Sequence, residues 1–228
     1  MSPKIRVTIL DDHQSIVDGY IYRLSGIPKF EVVAAITYGD DLEPTLKKVH
    51  TDILLLDVYV PTSPDNPNPY PILNAIPKLL NIYPLLKILV ISMVCERRLI
   101  RAIMDAGASG YVIKDDPAAI RDLGNVLLSI ANGGIYFSQK AYQLTQEHSL
   151  TKTSELLSSR QLEALSLCAA YPNDTMEELA QKMIVANSTV RNLLSTAYIK
   201  LGVHTRAAAV VKARELGILP SHSPTFIM

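Results

Sequence analysis

Asp11 and Asp12 close the run IRVTILDD, Asp57 closes ILLLD, Ser92 closes KILVIS and Lys114 closes GYVIK. Each polar residue follows a strand-length run of apolar residues. Runs of this kind, separated by helical patterns, read as buried parallel strands whose carboxyl ends share one edge of a sheet. In open α/β sheets that edge is where ligands bind. Three carboxylates, a hydroxyl and an ammonium gathered there suit a divalent cation and a phosphoryl group. Two carboxylates about 4 Å apart repel by about 1 kcal/mol in water, and by about 4 kcal/mol at an effective dielectric of 20. Asp57 adds a third charge, so the cluster calls for a cation. Oxygen ligands that do not complete a cage fit Mg²⁺, which keeps several of its waters. An acid ending the run Ile53-Leu54-Leu55-Leu56 also needs a partner of its own, which Lys114 supplies, with Ser92 as a hydroxyl donor. Blander roles exist for each residue alone. Asp11-Asp12 would serve equally as a helix cap, and a lone serine or lysine at a strand end is ordinarily structural or solvated. Their recurrence at successive strands is what singles them out.

The elements that must position these residues alternate with little slack. Strands are predicted over 5–10, 31–36, 53–57, 88–92 and 110–113, and helices over 15–24, 41–49, 72–82, 97–106 and 118–132. Five strand–helix units imply an α/β domain over 1–133, its five-stranded parallel sheet doubly wound with right-handed crossovers. Asn132-Gly133-Gly134 is a strong helix stop. Residues 134–156 turn polar and read as a linker, helical in part through 141–144. Residues 157–220 read as a small all-α domain, and 221–228 as a tail. In the α domain Ser158 or Ser159 can cap a first helix. Thr175 with Glu178 forms a capping box, Gly202 stops the longest helix, and Thr205 and Gly217 bracket the last. Two helices joined by a tight turn at 184–187 match a helix-turn-helix.

Composition narrows the classes further. A chain of 228 residues accommodates two domains, and 48% hydrophobic against 19% charged residues excludes global disorder. No apolar stretch approaches the roughly 20 residues of a membrane helix. MSPKIRVTILDDH lacks a signal core, so the expected location is the cytoplasm, with no membrane partner. Cys95 and Cys168 fall in different domains and read as unpaired small hydrophobes in a reducing compartment. Zero net charge argues against indiscriminate polyanion binding but permits a local basic face.

ILDDH, LLLDVYVP, KILVIS and AGASGYVIKDD together resemble the receiver domain of two-component response regulators, a flavodoxin-like fold, over about 4–132. The resemblance implies that Asp57 accepts phosphate from a histidine kinase. It assigns Mg²⁺ to Asp12, Asp57 and the backbone carbonyl of Tyr59, with Asp11 acting through water. Ser92 and Lys114 would contact the phosphoryl oxygens, and Tyr111 would be the switch aromatic that turns inward; an ordinary edge-strand tyrosine is the plainer role. LLSSRQLEALSL, EELAQKM and STVRNLLSTAYIKLGVHTRAAAVVKARELGIL resemble the LuxR/NarL-type helix-turn-helix over 157–219. The helix from about Ser188 would then enter the major groove. Ser188 and Thr189 would contact DNA, Arg191 would pair with guanine or phosphate, Asn192 would read adenine, and Lys200, Arg206 and Lys212 would lie near phosphates. Promoter DNA, a homodimer and RNA polymerase are the further partners implied.

Several residues depart from those families. The loop TSPDNPNPYP after Pro61 is long and crowded with proline, expected to lie extended without ladder hydrogen bonds; it either gates the site, selects a kinase, or is a tolerated insertion. Ala186 replaces a capping hydroxyl, and residues 171–174 form a short insertion. Over 155–215 seven basic residues face six acids, a net of +1, which predicts modest non-specific DNA affinity. A phosphorylation-switched regulator that binds a protein through a degenerate DNA-binding domain is therefore the second reading. A hydrolase is a poor third. The position two after Asp57 is Tyr59 where a phosphatase of the haloacid-dehalogenase type would want an acid, and neither a Gly-x-x-x-x-Gly-Lys loop nor a Gly-x-Ser-x-Gly elbow occurs. The chain is not read as an enzyme.

Overall fold

The computed structural model of the chain describes residues 3–146 and 156–221. Its sheet is built from β1 (Ile5–Leu10), β2 (Phe30–Ile36), β3 (Ile53–Leu56), β6 (Lys87–Ser92), β7 (Gly110–Ile113) and β8 (Tyr136–Phe137), in the order β2-β1-β3-β6-β7-β8. Every pairing in it is parallel. Side chains alternate across the sheet. Ile53 and Leu55 face a core formed with α1 (Gln14–Ser25), α5 (Pro117–Arg121) and α6 (Leu123–Ala131). Leu54 and Leu56 face the other core, with α2 (Leu42–Lys48), α3 (Ile72–Ile82) and α4 (Arg97–Asp105). The reversal of strand order beside β1 opens a crevice at the carboxyl ends of β1 and β3.

Three local departures from the predicted elements have physical causes. The helix expected over 118–132 is two, α5 and α6, meeting at Asp122. A sixth strand, β8, joins the five predicted, drawn from the stretch read as linker. Gly110 permits it: a Cβ there would stand 2.6 Å from the Tyr136 carbonyl oxygen. Ser138, fully buried, accepts a 3.1 Å hydrogen bond from the Ile113 N–H and fastens the strand. α7 (Gln139–Gln146) then lies against α4 and β7 and buries Ala141.

The proline-rich loop is the third departure. It forms an antiparallel ribbon, β4 (Pro61–Ser63) with β5 (Asn66–Pro69), in register Pro61↔Pro69 and Ser63↔Asn66. The expectation of an extended loop without pairing failed because the buried Thr62 hydroxyl takes part in closing the ribbon, donating to the Asn68 carbonyl at 2.8 Å. Tyr70 follows, buried flush against Gly39, where any Cβ would overlap its ring.

The second segment holds α8 (Ser159–Ala170), α9 (Met176–Met183), α10 (Asn187–Leu201) and α11 (Arg206–Glu215). Capping boxes form at Ser158 with Gln161 and at Thr175 with Glu178, Thr205 caps α11, and Gly202 ends α10 in the left-handed region. α8 is buried on nearly every side, its polar Gln161, Glu163 and Ser166 included. One side meets α9, α10 and α11, the other α3 and β5. Residues 147–155 of the expected linker and 222–228 of the expected tail lie outside the described residues. No described helix is long and apolar enough to cross a membrane.

Candidate functional site

The carboxyl ends of β1, β3 and β7 bring the predicted acids and lysine together. Lys114, one residue past β7, has 7% side-chain exposure and places Nζ 2.7 Å from Asp11 Oδ2 and 2.8 Å from Asp57 Oδ2. The other Asp57 oxygen accepts a 2.6 Å hydrogen bond from the Val58 N–H, which fixes the carboxylate plane. Asp11 accepts from the His13 N–H at 3.0 Å. Burial pushes the Asp57 carboxyl pKa up, and Asp11 adds to the rise while Lys114 opposes it. Burial also pushes the Lys114 ammonium down, but Asp57 and then Asp11 outweigh it, and its pKa lies above the ordinary lysine value. The buried pair is thus held charged chiefly by its own mutual attraction.

Asp12 completes the acidic face in a different environment. Its side chain is 24% exposed, and His13 Nδ1 approaches its Oδ1 to 2.8 Å. That approach does not follow a hydrogen-bond direction, so Asp12 Oδ1 is buried without a donor. One potential ligand atom from each of Asp11, Asp12, His13 and Asp57 lies within 4.8 Å of the others. An orphaned buried carboxylate oxygen among three acids is the donor set that a divalent cation would satisfy. Sequence reasoning passed over His13, whose only signal was its place beside the acid pair.

Ser92 ends β6 opposite Ile113 and is fully buried. Its backbone carbonyl accepts from the Lys114 N–H at 2.8 Å, and its Oγ accepts from the Val94 N–H at 3.3 Å. Tyr111 is buried, not an exposed edge-strand aromatic, and its hydroxyl donates to the Val94 carbonyl at 2.9 Å. Burial raises the Tyr111 phenol well above its ordinary pKa, so it remains a donor. Tyr59, two residues past Asp57, is half-buried with its hydroxyl 3.4 Å from Ser221 Oγ.

The second candidate surface is α10. Val190, Leu194, Ala197 and Leu201 are buried, while Ser188, Thr189, Arg191, Asn192, Ser195 and Lys200 are exposed. Ile184 in the preceding turn has φ 55°, a strained position for a β-branched residue. The other expected phosphate contacts are engaged within the fold. Arg206 donates to the carbonyls of Pro172 at 3.1 Å and Asp174 at 2.6 Å, bracing the insertion. Lys212 pairs with Glu215 at 3.0 Å, and Lys200 Nζ lies 3.2 Å from Gln161 Oε1. Cys168 is buried with its thiol pushed up to about 11 by burial, hence inert, and Cys95 is likewise free.

Polar contacts that the sequence did not reveal join the two halves. Asn74 of α3 donates to Glu163 of α8 at 2.8 Å, both side chains buried, and Arg160 holds the other Glu163 oxygen. Asn66 of the ribbon donates to the Ala170 carbonyl at 2.8 Å, and the Tyr171 hydroxyl donates to Asp40 at 3.1 Å. The polarity of Asn74 and Glu163 inside apolar helices was visible, but their partners were not.

No protein-family model matches the chain. Curated relatives match it nearly end to end. The transcriptional regulatory protein DegU of Brevibacillus brevis is 27% identical, covering 94% of each chain. The transcriptional regulatory protein DesR of Bacillus subtilis (strain 168) is 27% identical over 93% of this chain and 98% of its own. A solved structure of RcsB from Salmonella enterica serovar Typhimurium, bound to promoter P1flhDC in the presence of the phosphomimetic BeF3-, has the same fold. It covers 93% of this chain and 99% of that one with a TM-score of 0.63 at 22% identity. Along more than nine-tenths of its length this chain is similar in sequence to curated transcriptional regulatory proteins, and it shares the fold of the response regulator RcsB.

Proposed function

We propose that the chain is a cytoplasmic response regulator that takes a phosphoryl group on Asp57 from a histidine kinase and binds promoter DNA through α10 as a homodimer. The observation that carries this reading is Lys114 bridging Asp11 and Asp57 beside the orphaned Asp12 oxygen. Asp57 Oδ2 is the nucleophile: the bond from phosphorus to the donor histidine nitrogen breaks as the bond to the carboxylate forms. The Val58 N–H holds Oδ1, so a single oxygen is presented to the phosphorus. Lys114 and the Ser92 hydroxyl turn to the new phosphoryl oxygens, which carry up to about two negative charges. That turn redistributes the hydrogen bonds that Ser92 and Tyr111 make with Val94. Mg²⁺, held by Asp12, Asp57 and the Tyr59 carbonyl with Asp11 through water, would supply charge neutralisation as the phosphoryl moves. RcsB has been solved as two dimers bound to two parallel DNAs, which supports the dimer. RNA polymerase is a further partner consistent with a promoter-bound regulator.

The pairing of Lys212 and the bracing role of Arg206, both on α11, favour keeping the protein-binding alternative in view, because they engage two of the cations expected to meet phosphates beside α10. Duplexes selected from random sequence separate the two. With about two phosphate contacts per copy, the log–log salt slope is near −2 per copy. Arg191→Ala is expected to weaken the selected duplex by about tenfold, the low end of a good base contact. Asp57→Ala is expected to abolish phosphoryl uptake. A chain that selects no sequence, yet still takes phosphoryl on Asp57, is the protein-binding regulator instead.

A further inference from the structure

We propose that Tyr20 is a further residue of the phosphoacceptor site, its hydroxyl a neutral donor to the oxygens of a phosphoryl group on Asp57. This rests on the receiver reading of Asp57 and adds to the residues that recognise the phosphoryl group. Tyr20 occupies a core position of α1, where with Val17 and Leu24 it packs against the sheet. An aliphatic side chain would fill that position without carrying a polar atom beneath the site. Counting two residues on from Ile9, Leu55 and Val112, which belong to the same core as Tyr20, reaches Asp11, Asp57 and Lys114. Strand residues two apart share a face, so the charged triad stands over the core that Tyr20 enters. Ser92 follows Val90 from the opposite face. α1 starts at Gln14, so its N-terminal end lies beside Asp11 and Asp12. Tyr20 is about 9 Å further along the axis. Long helical side chains lean back toward the N-terminus, which carries the hydroxyl toward the acids.

Its surroundings leave that hydroxyl available. Tyr20 is only 4% exposed, yet the hydroxyl is not sealed from solvent and has no hydrogen-bond partner among the described residues. Burial pushes the phenol pKa far up, and Asp11 and then Asp57 push it further, so the group keeps its proton. A buried tyrosine hydroxyl ordinarily has a partner. One left open beside carboxylates marks a place for an acceptor that arrives later. The resting acids are already engaged: Lys114 answers Asp11 Oδ2 and Asp57 Oδ2, and the His13 and Val58 N–H groups hold their other oxygens. A phosphoryl group brings three acceptor oxygens and up to about two negative charges. Lys114 and Ser92 meet it from β7 and β6, and Tyr20 adds a donor from the α1 side. Being neutral, that donor does not repel the cation that the acids would hold.

The test uses the full chain with beryllofluoride and Mg²⁺ as the phosphoryl probe, titrated by calorimetry. Tyr20→Phe removes the hydroxyl and keeps the ring. Its affinity for beryllofluoride is expected to fall about tenfold or more, the low end for a hydrogen bond to a charged acceptor. Mg²⁺ alone is expected to bind the variant as it binds the wild type. Thermal unfolding identifies a variant that has lost its fold, and Tyr20→Leu, which removes hydroxyl and ring together, then decides. Unchanged beryllofluoride affinity in the folded variant overturns this inference alone. So does an equal loss of affinity for Mg²⁺ alone, which would make Tyr20 a spacer that shapes the acids. No Asp57-dependent binding of beryllofluoride to the wild type overturns the receiver reading, and this inference with it.

Discussion

Lys114 answers two carboxylates at once, and all three side chains are buried. Lys114→Met is expected to lower stability at pH 7 by about 3–5 kcal/mol, the usual result of breaking a buried pair from one side. The sign with pH follows from the shifts. The Lys114 pKa is raised, so its contribution is complete below the ordinary lysine value near 10.4 and fades as pH rises through the higher folded value. The Asp57 pKa is also raised, so the folded state gains as pH falls through that value toward the ordinary carboxylate range. The variant's deficit in urea unfolding should therefore shrink on going from pH 7 to pH 5; a deficit independent of pH would mean lost packing, not unpaired charge. Asp11, Asp57, Ser92 and Lys114 were legible in the sequence because each ends an apolar run, where a polar residue is conspicuous. Asn74 and Glu163 were not, because a polar residue within an apolar helix announces burial without naming its partner.

At the scale of elements, the turn into α10 is the least well satisfied part of the output domain. Ala186 occupies the N-cap with no side-chain hydrogen bond, whereas α8, α9 and α11 each have one. Ala186→Ser is expected to raise stability by about 1 kcal/mol, read as a higher urea midpoint with an unchanged slope. Ile184 just before it sits in a backbone region that disfavours side chains by roughly 1–2 kcal/mol per residue. The helix ends were readable because Ser158, Thr175, Thr205, Gly202 and Gly217 have specific capping chemistry. The ribbon was hidden by its prolines, which signal an absence of ladder donors and here stand at Pro61 and Pro69. β8 was hidden for another reason: two residues carry no periodicity.

At the scale of the whole molecule, one apolar cluster runs without interruption from α3 and α4 through α8 to α11. A receiver and an output domain read separately from sequence therefore share a core. The wild type is expected to unfold in a single calorimetric transition, its calorimetric and van't Hoff enthalpies equal. Glu163→Ala, which leaves Asn74 without its buried acceptor, should separate the transition into two. A single transition surviving in that variant would show that the apolar contacts alone bind the halves. Sequence could not reveal this union, since the periodicity of α8 specifies how much of it is covered and not by what.

The closure of β7 by β8 bears on how the first domain is best handled alone. A fragment cut after Gly133 strips β7 of its neighbour and leaves a row of unused amide and carbonyl groups flanked by valine and isoleucine. Such an edge is a template for strand exchange between molecules. Carrying the chain on to Gln146 retains both the covering strand and the helix that shields it, and so keeps the isolated piece from polymerising through its own border.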